Sequence, residues 1–273
     1  MANHYQQVSI TVNDQETREI LIALLADAGY EGFVENRQHV LAYITVGDFS
    51  KTDLETLLSP FGLTFELETI QERNWNAEWE AGFQPVQVGS FCSIRADFHP
   101  AAEGVRFDLV ITPKMSFGTG HHATTWQMVA AMERLDFTGK TVLDFGTGTG
   151  ILAILAEKLG ASTVYALDND TWSIENTQEN MQRNQTQRVA VQLAADLDAY
   201  PEVDIILANI NKHVILRELP AMVAHCKTGG MLVISGLLQS DEADLKTAIE
   251  NLPLTLINKT NKDSWLCWQL QRT

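Results

Sequence analysis

A Rossmann-like α/β fold, with a small ferredoxin-like α+β module ahead of it, is what three features of this sequence predict. Residues 141–153, T-V-L-D-F-G-T-G-T-G-I-L-A, read as the end of a buried strand, a glycine turn and the start of an apolar helix. A second apolar run ends in Asp168, about twenty residues beyond the glycines, at the spacing of a ribose-binding acid. Residues 8–70 fall into the order strand, helix, two strands, helix, strand, which is that of a ferredoxin-like sandwich.

Composition narrows the classes. A chain of 273 residues can bury a sizeable core and allows one or two domains. No apolar run is long enough to span a membrane and no charged-then-apolar leader is present, so a soluble, cytoplasmic protein is expected. Cys92, Cys226 and Cys267 are scattered without metal-ligand spacing and read as reduced thiols. The formal net charge of -16 argues against a phosphate-backbone partner. It is compatible with a basic protein substrate drawn in by the acidic field, although solubility alone explains it equally well.

The elements follow in chain order. Val8, Ile10 and Val12 alternate as a strand. Asn13 with Glu16 has the spacing of a capping box and opens a helix carrying Ile20, Leu21, Leu24, Leu25 and Ala28 on one face. Gly29 ends it. Phe33 and Val34 start a short strand, residues 40–46 form another, Ser50 caps a brief helix reaching Leu58, and residues 64–70 alternate again. No glycine loop, His–carboxylate pair or cysteine cluster falls in this part. Residues 1–70 are therefore either a substrate-recognition domain or a purely structural one. Residues 71–84 read as a helical linker in which Trp75, Trp79 and Phe83 share one face. Those rings either pack on a neighbouring domain or line a groove for a substrate peptide. Pro85 ends the linker, residues 85–273 form the catalytic domain, and strands near 90–96 and 105–111 are expected to make a hairpin at its entrance.

Residues 115–125, M-S-F-G-T-G-H-H-A-T-T, form a second glycine-rich stretch. Thr124 or Thr125 can cap the helix of residues 126–135. The loop would lie over the first glycine turn and contribute hydroxyls to the cofactor held there, with Thr125 a candidate cofactor-binding residue. Side chains of the adjacent His121 and His122 diverge, so no metal site is expected.

The first glycine turn is not a dinucleotide fingerprint, because Ile151 occupies the sixth position counted from Gly146. It is not a P-loop, since no Gly-Lys-Ser/Thr follows. The pattern is D-x-G-x-G-x-G, with Asp144 two residues ahead of the first glycine. An acid there suits a cationic ligand and would repel a pyrophosphate. The stretch resembles the first motif of the S-adenosylmethionine-dependent methyltransferases. The resemblance implies that Asp144, Gly146 and Gly148 hold the amino-acid end of that cofactor. Asp168 then accepts the ribose hydroxyls, while Asp170 reads as the cap of the helix from Thr171.

A narrower resemblance rests on several stretches together. F-G-T-G-H-H-A-T-T, followed by L-D-F-G-T-G-T-G, with N-W-N-A-E-W-E-A-G-F-Q-P-V-Q-V-G upstream and A-N-I-N downstream, is similar to the ribosomal protein L-eleven (L11) methyltransferase family, PrmA. It covers essentially the whole chain. The chain departs from the family at His121-His122-Ala123, where members usually have Thr-His-Pro, and at Asn209-Ile210-Asn211, where they have Asn-Ile-Leu. The resemblance implies a seven-stranded sheet with an antiparallel end. It implies transfer of methyl groups from S-adenosylmethionine to lysine side chains and the α-amine of L11. Asn209 and Ile210, at the end of the apolar strand 204–208, would be the catalytic pair, with Asn209 also against the cofactor. Asp196 is either an adenine contact or a solvated turn acid. The expected protein is a monomer with neither nucleic acid nor membrane as partner. Methylation of another protein, RNA or small-molecule amine is the alternative, and a non-enzymatic binding module or nicotinamide oxidoreductase fits the motifs less well.

Overall fold

A computed structural model of the chain describes residues 4–12, 14–35, 39–71, 83–112 and 118–273. The chain divides into two compact units, Met1–Phe83 and Gln84–Thr273.

In the first unit, strands β1 (His4–Thr11), β2 (Gly32–Glu35), β3 (His39–Thr45) and β4 (Phe65–Gln71) are joined through helices α1 (Gln15–Asp27) and α2 (Lys51–Leu58). The sheet is antiparallel, in the order β2-β3-β1-β4. Alternation turns Val8, Ile10, Val40, Ala42 and Ile44 to one face, where Leu21, Leu25, Leu54 and Leu58 of the helices cover them. The cap of α1 lies one residue later than the sequence suggests. Asp14, in extended backbone at φ -116 and ψ 149, accepts the Thr17 N–H at 2.8 Å, and the helix starts at Gln15. Asn13 lies outside the described residues. Ser50 caps α2 by accepting the Asp53 N–H at 3.4 Å. The linker expected over residues 71–84, with Trp75 and Trp79, falls almost wholly outside the described residues.

The second unit opens with a three-stranded sheet of β5 (Val86–Val88), β6 (Cys92–Arg95) and β7 (Phe107–Val110). The hairpin expected here does not form. β6 and β7 run parallel, and it is β5 that pairs antiparallel with β6. The segment between β6 and β7 returns the chain to its starting end instead of reversing it tightly, so the strands align.

The main sheet contains β8 (Thr141–Phe145), β9 (Thr163–Asp168), β10 (Val189–Leu193), β11 (Val203–Asn209), β12 (Cys226–Leu238), β13 (Leu254–Lys262) and β14 (Trp265–Arg272). Its order is β10-β9-β8-β11-β12-β14-β13. The first five of these strands are parallel to one another, and β14 is antiparallel to both neighbours. The β13–β14 hairpin turns through Asp263 and Ser264, at φ 51 and 68, the paired positive values of a tight primed turn. Helices α3 (Ala123–Met132), α4 (Ile151–Lys158), α5 (Thr171–Asn184), α6 (Lys212–His225) and α7 (Glu242–Ile249) complete the unit.

Both faces of the sheet are buried, as its apolar runs require. Along β11, Ile205 and Leu207 enter one core with Met128 and Met132 of α3 and Ile154 of α4. Ile206 and Ala208 enter the other, with Ile215, Leu219 and Met222 of α6. The order reverses between β8 and β11, and crevices at the carboxyl ends of such strands are where ligands bind. Among the described residues, no helix is long and apolar enough to cross a membrane.

Candidate functional site

The glycine turn joins β8 to α4. Gly146, Gly148 and Gly150 have φ of 76, 57 and 80, a region open to glycine and strained for other residues. Both edges of the turn are held by hydrogen bonds through its backbone, one to β9 and one to side chains of α5. The N–H groups of Gly146 and Thr147 reach the Leu167 carbonyl at 2.8 and 2.9 Å, tying the turn to the end of β9. The Gly148 N–H donates to Asp168 Oδ2 at 2.9 Å. On the far side, Thr177 of α5 donates to the Gly148 carbonyl at 2.9 Å, and Asn180 donates to the Thr149 carbonyl at 2.8 Å. The second glycine-rich stretch does meet the first: Thr149 Oγ1 donates to the Gly118 carbonyl at 2.8 Å. Residues 115–117 of that stretch lie outside the described residues.

Around the turn is a cavity of about 590 Å³ at the switch point. Of the sequence-derived site residues, Gly146, Gly148, Asp168, Asn209 and Ile210 line it together. Three others do not. Asp144 is fully buried beneath the turn. Its Oδ2 accepts from Thr147 Oγ1 at 2.7 Å and from the Ala153 N–H at 3.2 Å, bonds that brace the turn against α4. Its Oδ1 has no partner among the described residues. Burial raises the Asp144 pKa to about 7; the two hydrogen bonds oppose the rise and the Asp168 charge adds to it. Thr125 is also buried, and its Oγ1 accepts from Asn209 Nδ2 at 3.1 Å. It sets the Asn209 rotamer from behind. Asp196 is exposed and caps its own turn, accepting the Asp198 N–H at 3.3 Å. Ala194 and Ala195 line the cavity where Asp196 was expected.

Helix α3 begins at Ala123, so Thr124 and Thr125 lie inside it and neither is its cap. His122, in extended backbone, takes that place, its Nδ1 accepting the Thr124 N–H at 3.4 Å. The cap brings the His122 ring to the cavity, edge-on to Trp265 with centroids 4.7 Å apart. Asp170 caps α5 as its sequence suggests, with Oδ1 on the Trp172 N–H at 3.2 Å.

Sequence reasoning missed Trp265, Gly236 and Arg217 as lining residues. Trp265 arrives from β14 and Gly236 from β12, both far along the chain and without a local motif. Arg217 lies one turn past Val214 on α6, a helical spacing that periodicity could have offered once Asn211 was known to start the helix.

Chemically, the cavity has a carboxylate on one wall and a strip of residues 209–211 at the end of β11. Asn209 Oδ1 is a buried acceptor with no partner among the described residues. Phe145, Ile210, Val214 and Trp265 give the cavity apolar lining. A turn of glycines, a carboxylate and an unpartnered amide oxygen in one cavity fit an adenosyl ligand at one end and an amine at the other.

Comparison with known proteins points the same way. The family model described as ribosomal protein L11 methyltransferase (PrmA) matches residues 4–273. A ribosomal protein L11 methyltransferase of Porphyromonas gingivalis is 39% identical over 255 residues, 90% of this chain and 88% of its own. One of Chlorobaculum parvum is 39% identical over 269 residues, 93% of this chain and 92% of its own. A crystal structure of a ribosomal protein L11 methylase from Lactobacillus delbrueckii subsp. bulgaricus superposes with a TM-score of 0.64 at 27% identity, covering 70% of this chain and all (100%) of that one.

Proposed function

Because this chain belongs to the ribosomal protein L11 methyltransferase family, we propose that it transfers methyl groups from S-adenosylmethionine to amino groups of ribosomal protein L11. The observation that carries the reading is the meeting of Asp168, the glycine turn and the unpartnered Asn209 Oδ1 in one cavity.

Gly146 and Gly148 let the backbone approach the amino-acid portion of the cofactor, and the Asp168 carboxylate accepts its ribose hydroxyls. Bound there, S-adenosylmethionine supplies an electrophilic methyl group. The protein's task is then to present an amine in line with it. A free lysine amine has a pKa of roughly 10.4, so no more than about one in a thousand is neutral near pH 7. Phe145, Ile210, Val214 and Trp265 line the cavity, and partial desolvation against them disfavours the ammonium form. The Asn209 amide oxygen and the Ile210 carbonyl accept the amine's N–H groups, which leaves its lone pair facing the methyl. Thr125 holds the Asn209 amide nitrogen and so fixes which end of the amide meets the substrate. The proton leaves to solvent.

The first unit, read as a ferredoxin-like sandwich, selects the substrate, and the chain acts as a cytoplasmic monomer without direct contact to nucleic acid. Lysine side chains and the α-amine of L11 are the acceptors. The test is transfer of label from S-adenosylmethionine to purified large-subunit ribosomal proteins, resolved by mass. Label on L11 alone is expected. Label on another protein, with cofactor binding intact, would move the substrate and leave the reaction.

A further inference from the structure

The residues that flank Ile210 are two glycines from different parts of the sheet. Gly146 belongs to the cofactor turn, and a β-carbon built on it would overlap Cγ2 of Ile210. Gly236 belongs to β12, and a β-carbon there would overlap the Ile210 carbonyl oxygen and lie 2.7 Å from the carbonyl carbon. Gly236 has φ +101. It is also the point at which β12 slips against its neighbour: Ser235 pairs with Cys267, Leu237 pairs with Leu266, and Gly236 is the extra residue between them. That is a bulge, a device that bends a strand and re-aims what lies beside it. The bulge is pinned on one side by Ser235 Oγ, which donates to the Leu266 carbonyl at 2.6 Å. On the other side Ser235 is in register with Asn209 in the parallel pair β11–β12. Gly236 also lines the cavity.

We propose that Gly236 is a positioning residue for methyl transfer: its bulge sets where the Ile210 carbonyl stands relative to the cofactor turn. The inference rests on the reading that Asn209 and Ile210 receive the substrate amine. Residues 209–211 are then fixed at three points. Thr125 holds the Asn209 side chain, Gly236 and Gly146 enclose Ile210, and Asn211 caps α6 by accepting the Val214 N–H at 3.1 Å. Of the two glycines, Gly236 is the one at which an added β-carbon would meet the acceptor carbonyl itself. A methyl group there has to displace the Ile210 peptide, and in-line transfer loses rate steeply with sub-ångström displacement of the acceptor.

The test is Gly236→Ala in the full chain, read by three measurements: kcat for L11, Kd for S-adenosylmethionine by calorimetry, and Tm. The expected result is a kcat loss of about tenfold or more, with cofactor Kd changed less than about threefold. Parent kcat in a folded variant would overturn the proposal. So would a Kd that weakens in step with kcat, because the added methyl would then be obstructing the cavity. Should Gly236→Ala fail to fold, Ser235→Ala releases the bulge without adding an atom beside Ile210, and it is expected to lower kcat with the same separation from Kd. Unchanged kcat in Ser235→Ala would then overturn the assignment. Asn209→Ala, assayed alongside, separates the two levels of the argument. Full turnover by Asn209→Ala would remove the amine-receiving reading. Lost turnover there, with parent turnover in Gly236→Ala, would remove Gly236 alone.

Discussion

Asp168 offers one carboxylate oxygen to the Gly148 N–H and the other to the Asp170 N–H, at 2.9 and 3.1 Å. These bonds orient it at the cavity wall. Hydrogen bonds to a charged group are worth about 1.5–3 kcal/mol each. Asp168→Ala is therefore expected to weaken S-adenosylmethionine binding roughly 10- to 100-fold, as measured by calorimetry. Parent affinity in that variant would take Asp168 out of the binding site. Asp144 makes a different prediction. Its folded pKa is raised by burial from 3.8 to about 7. Between those values the folded state holds a proton that the unfolded chain has released. Stability from this group is therefore full below about pH 4 and is lost as pH rises towards 7. Asp144→Asn removes that titration and can still present one oxygen to Thr147 and Ala153. Its Tm relative to the parent should climb from pH 4 to pH 7 and then level off. A constant difference across that range would mean that Asp144 does not titrate as its burial implies.

At the scale of elements, α5 is the strut of the site. Asn176, Thr177, Asn180 and Asn184 are all buried. Asn180 Oδ1 accepts the Thr112 N–H at 2.9 Å while its Nδ2 donates to the Thr149 carbonyl. Asn184 makes both bonds to Val110, at 3.0 and 2.7 Å. The helix thus ties the chain leading out of β7 to the glycine turn. Asn180→Leu would leave the Thr149 carbonyl and the Thr112 N–H without their partner, at about 1–3 kcal/mol for each such buried group. At roughly 2–4 °C per kcal/mol for a unit of this size, Tm should fall by several degrees. A change under about 1 °C would mean that water replaces the ladder. The four-residue spacing of these asparagines stands open in the sequence, yet a polar stripe reads as a solvated face. Only its contact with backbone left unpaired by the turns makes it an inside face. The failed β6–β7 hairpin has a similar origin. Each strand is legible from its own apolar residues, but the direction of pairing depends on where the intervening chain goes.

At the scale of the whole molecule, the two units have separate cores, one of Val8, Ile10 and Leu21, the other built on the seven-stranded sheet. Among the described residues, those that line the cavity belong to the second unit. A chain of residues 84–273 should therefore fold, bind S-adenosylmethionine with close to parent affinity, and lose turnover on L11. Undiminished turnover on L11 would take substrate selection away from the first unit. The net charge of -16 belongs to this scale too, because it bears on solubility and on encounter with other molecules and not on the fold.

The sequence by itself determined the family, most of the element order and several residues at fixed spacing that line the cavity. Gly146, Gly148, Asp168 and Asn209, which line the cavity, were legible because a turn and a strand end each restrict residue type locally. The tertiary structure alone decided which of the candidates reach the cavity. Asp144 and Thr125 carry the right groups but are turned into the packing, where one braces the turn and the other orients Asn209. Gly236, Trp265 and Arg217 reach the cavity from distant strands and a helix face. Their role depends on sheet order and on the bulge in β12, which are set by pairing between segments far apart in the chain. Local residue preferences specify elements; long-range register specifies which side chains meet.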